Sequence, residues 1–198
     1  MSAVDAKQLW TSADLPRWDD ALRVYPEVVA HQDAKNLVEL DRWYREELPG
    51  AIAARTPPSV GEREVVDVTR WKMLRGEWRA RNLLLLQSNG EVAIRAAAEE
   101  AFGLAPDPRK PVARLAQLAG VGPATASAVL AAFRGDCYPF LDELVGAAIP
   151  ELGEPKFTVP YYLRYAEALR ERAEALGAPW TAQTVGFALW SAAGGKAG

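Results

Sequence analysis

Apolar residues recur three and four positions apart along most of this chain, and almost no stretch alternates as a strand would. Leu37, Leu40, Tyr44 and Leu48 form one such stripe, and Ile94, Ala97, Ala98 and Ala101 a second. Ala126, Val129, Leu130 and Phe133 make a third, and Tyr162, Tyr165, Leu169, Ala173 and Leu176 a fourth. Each stripe is the inward face of an amphipathic helix. Proline and glycine clusters at residues 48–50, 56–59, 88–90, 103–111, 134–136 and 153–155 punctuate the pattern. The spacing therefore predicts an all-α fold of about nine or ten helices. The longest irregular stretch, residues 103–111, is too short to separate independent domains and is a candidate joint between two packed lobes of one domain spanning 1–198. No repeat of 20 to 50 residues is present. The small-residue end, 192–198, is expected to fray.

Composition narrows the class. With 198 residues, 49% hydrophobic and 25% charged, the chain is long and apolar enough to bury a core, which excludes an intrinsically disordered protein. One cysteine excludes an intrachain disulfide framework and a four-cysteine iron-sulfur or zinc site. No apolar run reaches the roughly 18 residues of a membrane span, and residues 1–10 lack the basic and apolar sections of a secretion signal. A soluble monomer without membrane partners is expected, cytoplasmic and nucleoid-associated in a bacterium, or nuclear in a eukaryote. A net charge of −3 argues against coating nucleic acid through global charge but leaves room for a local basic face. The seven tryptophans, at 10, 18, 43, 71, 78, 180 and 190, read first as core anchors and second as stacking surfaces.

The most informative stretch runs Leu115-Ala116-Gln117-Leu118-Ala119-Gly120-Val121-Gly122-Pro123-Ala124-Thr125-Ala126-Ser127. One helix ends near Leu118, Gly-Val-Gly turns the chain, and a second helix starts with proline at its first turn, where the missing amide hydrogen costs nothing. This is a helix-hairpin-helix pattern over residues 115–133. The glycines leave backbone amides uncovered, and the second helix adds the positive end of its dipole, so the turn can cradle an anion. A DNA phosphate would bind the backbone of Gly120, Val121, Gly122, Ala124 and Thr125 directly, or through a monovalent cation on hairpin carbonyls near Gly120. Either contact positions the backbone without reading sequence. Val121 is the apolar peg between the two helices. The plainer alternative is that Gly120 and Gly122 only end one helix and begin another.

Downstream lies Tyr138-Pro139-Phe140-Leu141-Asp142-Glu143, in which Asp142 opens a new helix 22 positions after Gly120. A hairpin of this type followed at this distance by an aspartate after an apolar lead-in resembles the helix-hairpin-helix DNA glycosylase superfamily, most closely over residues 115–146. The resemblance implies a two-lobed helical fold with the cleft near 138–146, into which an extruded nucleotide enters. It also implies that Asp142 is the catalytic aspartate, stabilising charge on the sugar or activating water as the N-glycosidic bond breaks. A carboxylate does this best where water is excluded and a helix N-terminus favours its charged form. The alternative is a simple helix cap, worth about 1 kcal/mol, and the two roles are compatible. Glu143 is a second candidate acid.

Two departures refine the expectation. Some family members carry a lysine four positions after the first hairpin glycine, which forms a Schiff base and leads to strand cleavage; here that position is Ala124. A monofunctional enzyme without organic cofactor, catalytic metal or iron-sulfur cluster is therefore expected. No base-pocket pattern aligns before the hairpin.

Elsewhere, residues 70–81 hold five basic side chains against one acid, with Trp71 and Trp78 between them. Such a segment neutralises phosphates and stacks on an unpaired base, which makes Trp71, Lys72, Arg75 and Arg79 candidate DNA or base contacts; Tyr138 and Glu143, flanking Asp142, are two further candidates. Alternatively it is a solvated helix whose tryptophans are buried and whose arginines pair with acids. Arg109, Lys110 and Arg114 would extend the basic footprint or simply solubilise a loop. His31 lacks any nucleophile motif and reads as a helix-end residue. Cys137 reads as a buried, inert thiol. Tyr161, Tyr162, Tyr165 and Trp190 read as core. The sequence thus favours excision of a damaged base from duplex DNA. Its rivals are a non-catalytic DNA-binding or scaffold protein that keeps the hairpin, and a cleft turned to another N-glycosidic substrate such as a free nucleoside.

Overall fold

The computed structural model describes residues 5–195 and is all-α, with no strand among the described residues. Thirteen α-helices follow one another: α1 (Ala6–Trp10), α2 (Leu15–Arg23), α3 (Tyr25–Ala30), α4 (Leu37–Arg42), α5 (Leu48–Ala53), α6 (Glu62–Leu74), α7 (Ala80–Gln87), α8 (Glu91–Gly103), α9 (Lys110–Leu115), α10 (Pro123–Arg134), α11 (Glu143–Ala147), α12 (Val159–Leu176) and α13 (Ala182–Ala192). A π turn, Trp43–Glu47, joins α4 to α5, and a 3₁₀ turn, Pro150–Leu152, follows α11. The count exceeds the nine or ten expected because local chemistry cuts periodic stretches. The stripe from Leu37 to Leu48 is one apolar face, yet the π turn and then Pro49 in the first turn of α5 divide it.

Proline opens several of these helices, and threonine and aspartate caps open others. Thr158 accepts from the Tyr161 amide at the start of α12, and Thr181 with Thr184 closes a reciprocal cap on α13. The packing sorts the helices into two sets. In one, α13 lies among α1, α2, α3, α11 and α12 and buries every side chain but Thr184, as an all-round apolar helix must. In the other, α10 packs on α5, α6 and α9, while α8 lies on α9. The connector at 103–111 therefore joins neighbours within one set rather than the two sets.

One apolar cluster runs through both sets. Trp18, Trp71 and Trp190 are fully buried within it, and Trp10 in α1 is tied to the far end of the chain by an indole N–H donated to Glu151 at 2.9 Å. Tyr161, Tyr162, Tyr165 and Trp190 are core, as read. His31 is exposed at the C-terminus of α3. Cys137 is only half-buried, beside Arg134 and Asp136, because the loop after α10 runs along the surface there; burial still pushes its thiol up.

Between α9 and α10 the chain turns through Gly120, Val121 and Gly122. The first helix stops at Leu115, three residues before the expected end, and finishes in tight turns through Leu118. Gly120 has φ +73°, and a Cβ there would overlap the Asn82 carbonyl oxygen and crowd the Leu86 amide at 2.8 Å, both on α7. Asn89 clasps the turn from the same side, donating to the Ala119 carbonyl at 3.0 Å and accepting from the Ala119 amide at 2.9 Å. Gly122 is different: its φ is −96° and a Cβ would meet nothing within 4 Å. Gly120→Ala is expected to cost about 1–3 kcal/mol of unfolding free energy, from the left-handed backbone and the collision with α7. Gly122→Ala should stay within about 0.5 kcal/mol of the parent, and urea denaturation of the two variants distinguishes them.

Candidate functional site

A cavity of about 460 Å³ opens between the two helix sets. Its walls include Lys72 and Arg75 from α6 and its C-terminus, Arg79, Gly122, Ala124 and Thr125 at the start of α10, and Asp142 with Glu143 at the start of α11. Phe140 and Phe157 add aromatic surface. The first turn of α10 carries no acidic residue and no side-chain cap, so amides of a twelve-residue helix are left without a side-chain partner on this wall. The Gly122 end of the turn and the Asp142 carboxylate thus line one cavity, while Gly120 does not.

Asp142 is held with unusual completeness. The three backbone amides leading to it each find a side-chain acceptor from a different helix. Phe140 N–H donates to Gln183 of α13 at 2.7 Å, Leu141 N–H to Ser127 of α10 at 2.9 Å, and Asp142 N–H to Tyr165 of α12 at 3.4 Å. The Tyr165 hydroxyl in turn donates to the Phe140 carbonyl at 2.7 Å. The carboxylate itself is divided between two tasks. Oδ1 accepts from the Leu144 and Val145 amides at 2.9 and 3.4 Å and caps α11, while Oδ2 accepts from Arg75 Nη2 at 3.3 Å.

Arg75 explains the arrangement behind the cavity. Its side chain is 2% exposed, and its guanidinium carbon sits 4.0 Å from the Trp190 ring centre and 4.7 Å from that of Trp71. Tyr25, Phe140 and Phe187 complete the aromatic box. Burial opposes the charge, but the Tyr25 oxygen, Asp142 and Asp41 together outweigh it and raise the pKa, so the cation persists. Asp41, itself buried, accepts from Tyr25 at 2.6 Å, Trp71 Nε1 at 2.9 Å and Arg45 at 2.7 Å, and lies 3.9 Å from Arg75. Tyr25 donates to Asp41 and accepts from Arg75, and burial drives its hydroxyl well above the ordinary tyrosine range.

The sequence-predicted contacts separate cleanly. Lys72, Arg75, Arg79, Gly122, Ala124, Thr125, Asp142 and Glu143 are brought together in the cavity wall. Trp71 and Tyr138 are not. Trp71 is fully buried and stacked on Tyr44 at 3.8 Å, and Tyr138 is buried with its hydroxyl donated to the Asp107 carbonyl at 2.9 Å, so neither offers a face to DNA. Gly120 backs onto α7 and Val121 is the buried peg. Arg75 pairs with acids, and Arg79 pairs with Glu77 while remaining exposed on the rim. Lys110 and Arg114 pair with Asp107 and Glu100, and neither they nor Arg109 line the cavity. The carbonyls of Leu118 and Ala119, on the near side of Gly120, accept from the Val121 amide and from Asn89. Among the described residues, no cluster of three or more His, Cys, Asp or Glu could hold a metal.

Sequence reasoning missed Asp41 and Phe157. The signal for Asp41 was present, since it lies four residues after Leu37 and three before Tyr44, an acid on an apolar stripe. Phe157, 46% exposed on the loop before α12, carried no periodic signal. The indole left exposed, at 53%, is Trp78 rather than Trp71, because the loop from Gly76 to Arg79 leaves α6 and projects outward. No family model matches this sequence, and neither curated proteins nor solved structures gave a match.

Two substitutions test the scaffold of the site. Asp41→Ala leaves Arg75 short of a countercharge in an apolar box and is expected to lower unfolding free energy by about 3–5 kcal/mol. Ser127→Ala orphans only the Leu141 amide and should cost about 1–3 kcal/mol, both read by chemical denaturation.

Proposed function

We propose that this protein is a DNA N-glycosylase of the two-lobed helix-hairpin-helix type, which hydrolyses the bond between a damaged or modified base and its deoxyribose. The observation that carries the reading is the shared cavity: the uncapped start of α10 and the Asp142 carboxylate line one space of about 460 Å³. A backbone phosphate would take the Ala124 and Thr125 amides, with Lys72 and Arg79 neutralising its neighbours. The extruded base would lie against Phe140 and Phe157, where any base presents a π face. Asp142 would then oppose the positive charge that develops on the sugar as the N-glycosidic bond lengthens. Its amide and side-chain tethers hold it in place, so little reorganisation is needed at the moment of reaction. The Arg75–Asp142 contact at 3.3 Å is longer than the 2.7 Å of Arg45–Asp41, and a loosely held Oδ2 is the oxygen available to the sugar or to an attacking water.

A second reading has its own support. Both Asp142 oxygens already have partners, one in the α11 amides and one in Arg75, as befits a structural cap in a non-catalytic DNA-binding protein. Abasic-site formation across a panel of lesion-bearing duplexes separates the two. Excision should appear with at least one lesion and fall by about 10²–10³ in rate in Asp142→Asn. Duplex binding with steep salt dependence and no base released from any lesion would support the binding protein instead.

A further inference from the structure

Helix α6 lines two recesses. Lys72 and Arg75 face the cavity beside Asp142, whereas Arg63, Asp67, Arg70 and Leu74, three and four residues apart on the opposite side of the helix, line a groove of about 760 Å³. The other wall of that groove is α4 with the residues flanking it, from Lys35 to Trp43. The walls run antiparallel, because Asp41 of α4 lies beside Trp71 and Arg75 at the end of α6, while Arg55, after α5, pairs with Glu64 in its first turn. Trp43 thus stands along the side of the groove and Trp78 beyond its Leu74 end, which sets two indoles apart within one recess. Trp43 is half-buried and Trp78 is exposed.

The polar groups of the groove leave a surplus of donors. Of its acids, Glu64 is spent on Arg55 at 2.7 Å and the Gly61 amide at 2.8 Å, and Asp67 on Arg70 at 3.0 Å. Arg63 is only 3.9 Å from Asp67 at its nearest and its side chain is 96% exposed, while Lys35 is exposed and forms no ion pair among the described residues. Trp10, Trp18 and Trp71 donate their indole N–H groups within the protein, but among the described residues Trp43 and Trp78 find no acceptor. Glu39 is the one lining acid left to answer these donors. An occupant must therefore bring acceptors and negative charge. The aliphatic lining is Leu40 and Leu74, too little for a deep slot, whereas two indoles offer flat faces to flat rings. Arg63 and Arg70, seven residues or about 10 Å apart on one helix face, spread the positive charge along the groove. We propose that this groove binds an unpaired nucleic-acid strand, its bases stacked on Trp43 and Trp78 and its phosphates held by Lys35, Arg63 and Arg70. The site lies across α6 from the cavity at Asp142 and does not depend on the excision reading.

The test is fluorescence anisotropy of the full-length protein with a labelled oligothymidylate about eight nucleotides long, whose bases have no pairing partner. Trp78→Ala is expected to raise the dissociation constant about 5–100-fold, the loss of one stacked base. Trp78 is exposed, so its removal opens no void in the core. Arg63→Gln should weaken binding and lower the slope of log affinity against log salt by about 1. In a ¹⁵N spectrum the strand should shift the indole N–H signals of Trp43 and Trp78. Absence of strand binding overturns the proposal, as does binding that Trp78→Ala does not change. Shifts confined to the Ala124 and Thr125 amides would move the strand to the other cavity and overturn it as well. Binding of a glutamate–tyrosine copolymer without binding of the strand would make the groove a site for acidic peptides instead. Strand binding at Trp78 without base release from any lesion would keep this site and remove the excision reading; base release without strand binding would remove only this site.

Discussion

A guanidinium buried among aromatic rings governs the centre of this molecule. Desolvating such a group costs several kcal/mol even after relaxation, and ring faces recover only part of that, so carboxylates have to be brought to it. Asp41 arrives from α4 and Asp142 from the start of α11, with Tyr25 bridging Asp41 and Arg75. These groups come from elements far apart in sequence. The charge balance of Arg75 therefore couples the two helix sets, and the carboxylate at the cavity wall belongs to that balance.

The segment that carries Asp142 is anchored by separate hydrogen bonds of its own. An apolar loop entering a core would strand its backbone amides, and each here is answered by a polar side chain on a different helix. Ser127 is the most economical of these devices. Its hydroxyl accepts from Leu141 and donates to the Ala124 carbonyl, linking the first turn of α10 to the lead-in of the aspartate through one atom. Cradle and carboxylate are thereby held in mutual register by one buried side chain. Such support fixes the relative positions of groups on one cavity wall.

Electrostatically the cavity wall is mixed rather than basic. Arg75 answers Asp142, Arg79 answers Glu77, and the amides of α10 supply positive potential without a side chain. The chain as a whole carries a net charge of −3, so the positive potential at the start of α10 is a local feature. Phe157, which is exposed, adds apolar surface to the cavity, while Trp78, also exposed, lines a separate pocket with Trp43 and Leu74.

The all-α class, the turn at Gly120 to Gly122 and the helix opened by Asp142 were all legible in the sequence, because each depends on contacts within a few residues: apolar period, proline at a first turn, an oxygen reaching the next two amides. Even Gly120, chosen for its turn, owes half its necessity to α7, which no local rule announces. Which tryptophan is exposed, which arginine is spent on an internal acid and which lysine lines the cavity were settled by tertiary packing alone. Residues 70–81 read as one basic, aromatic ribbon; in space Trp71 and Arg75 turn inward to Asp41, while Lys72, one position along, faces the cavity. A helix rotates about 100° per residue, so adjacent side chains meet different environments, and only the partners brought there by the rest of the chain decide what each does.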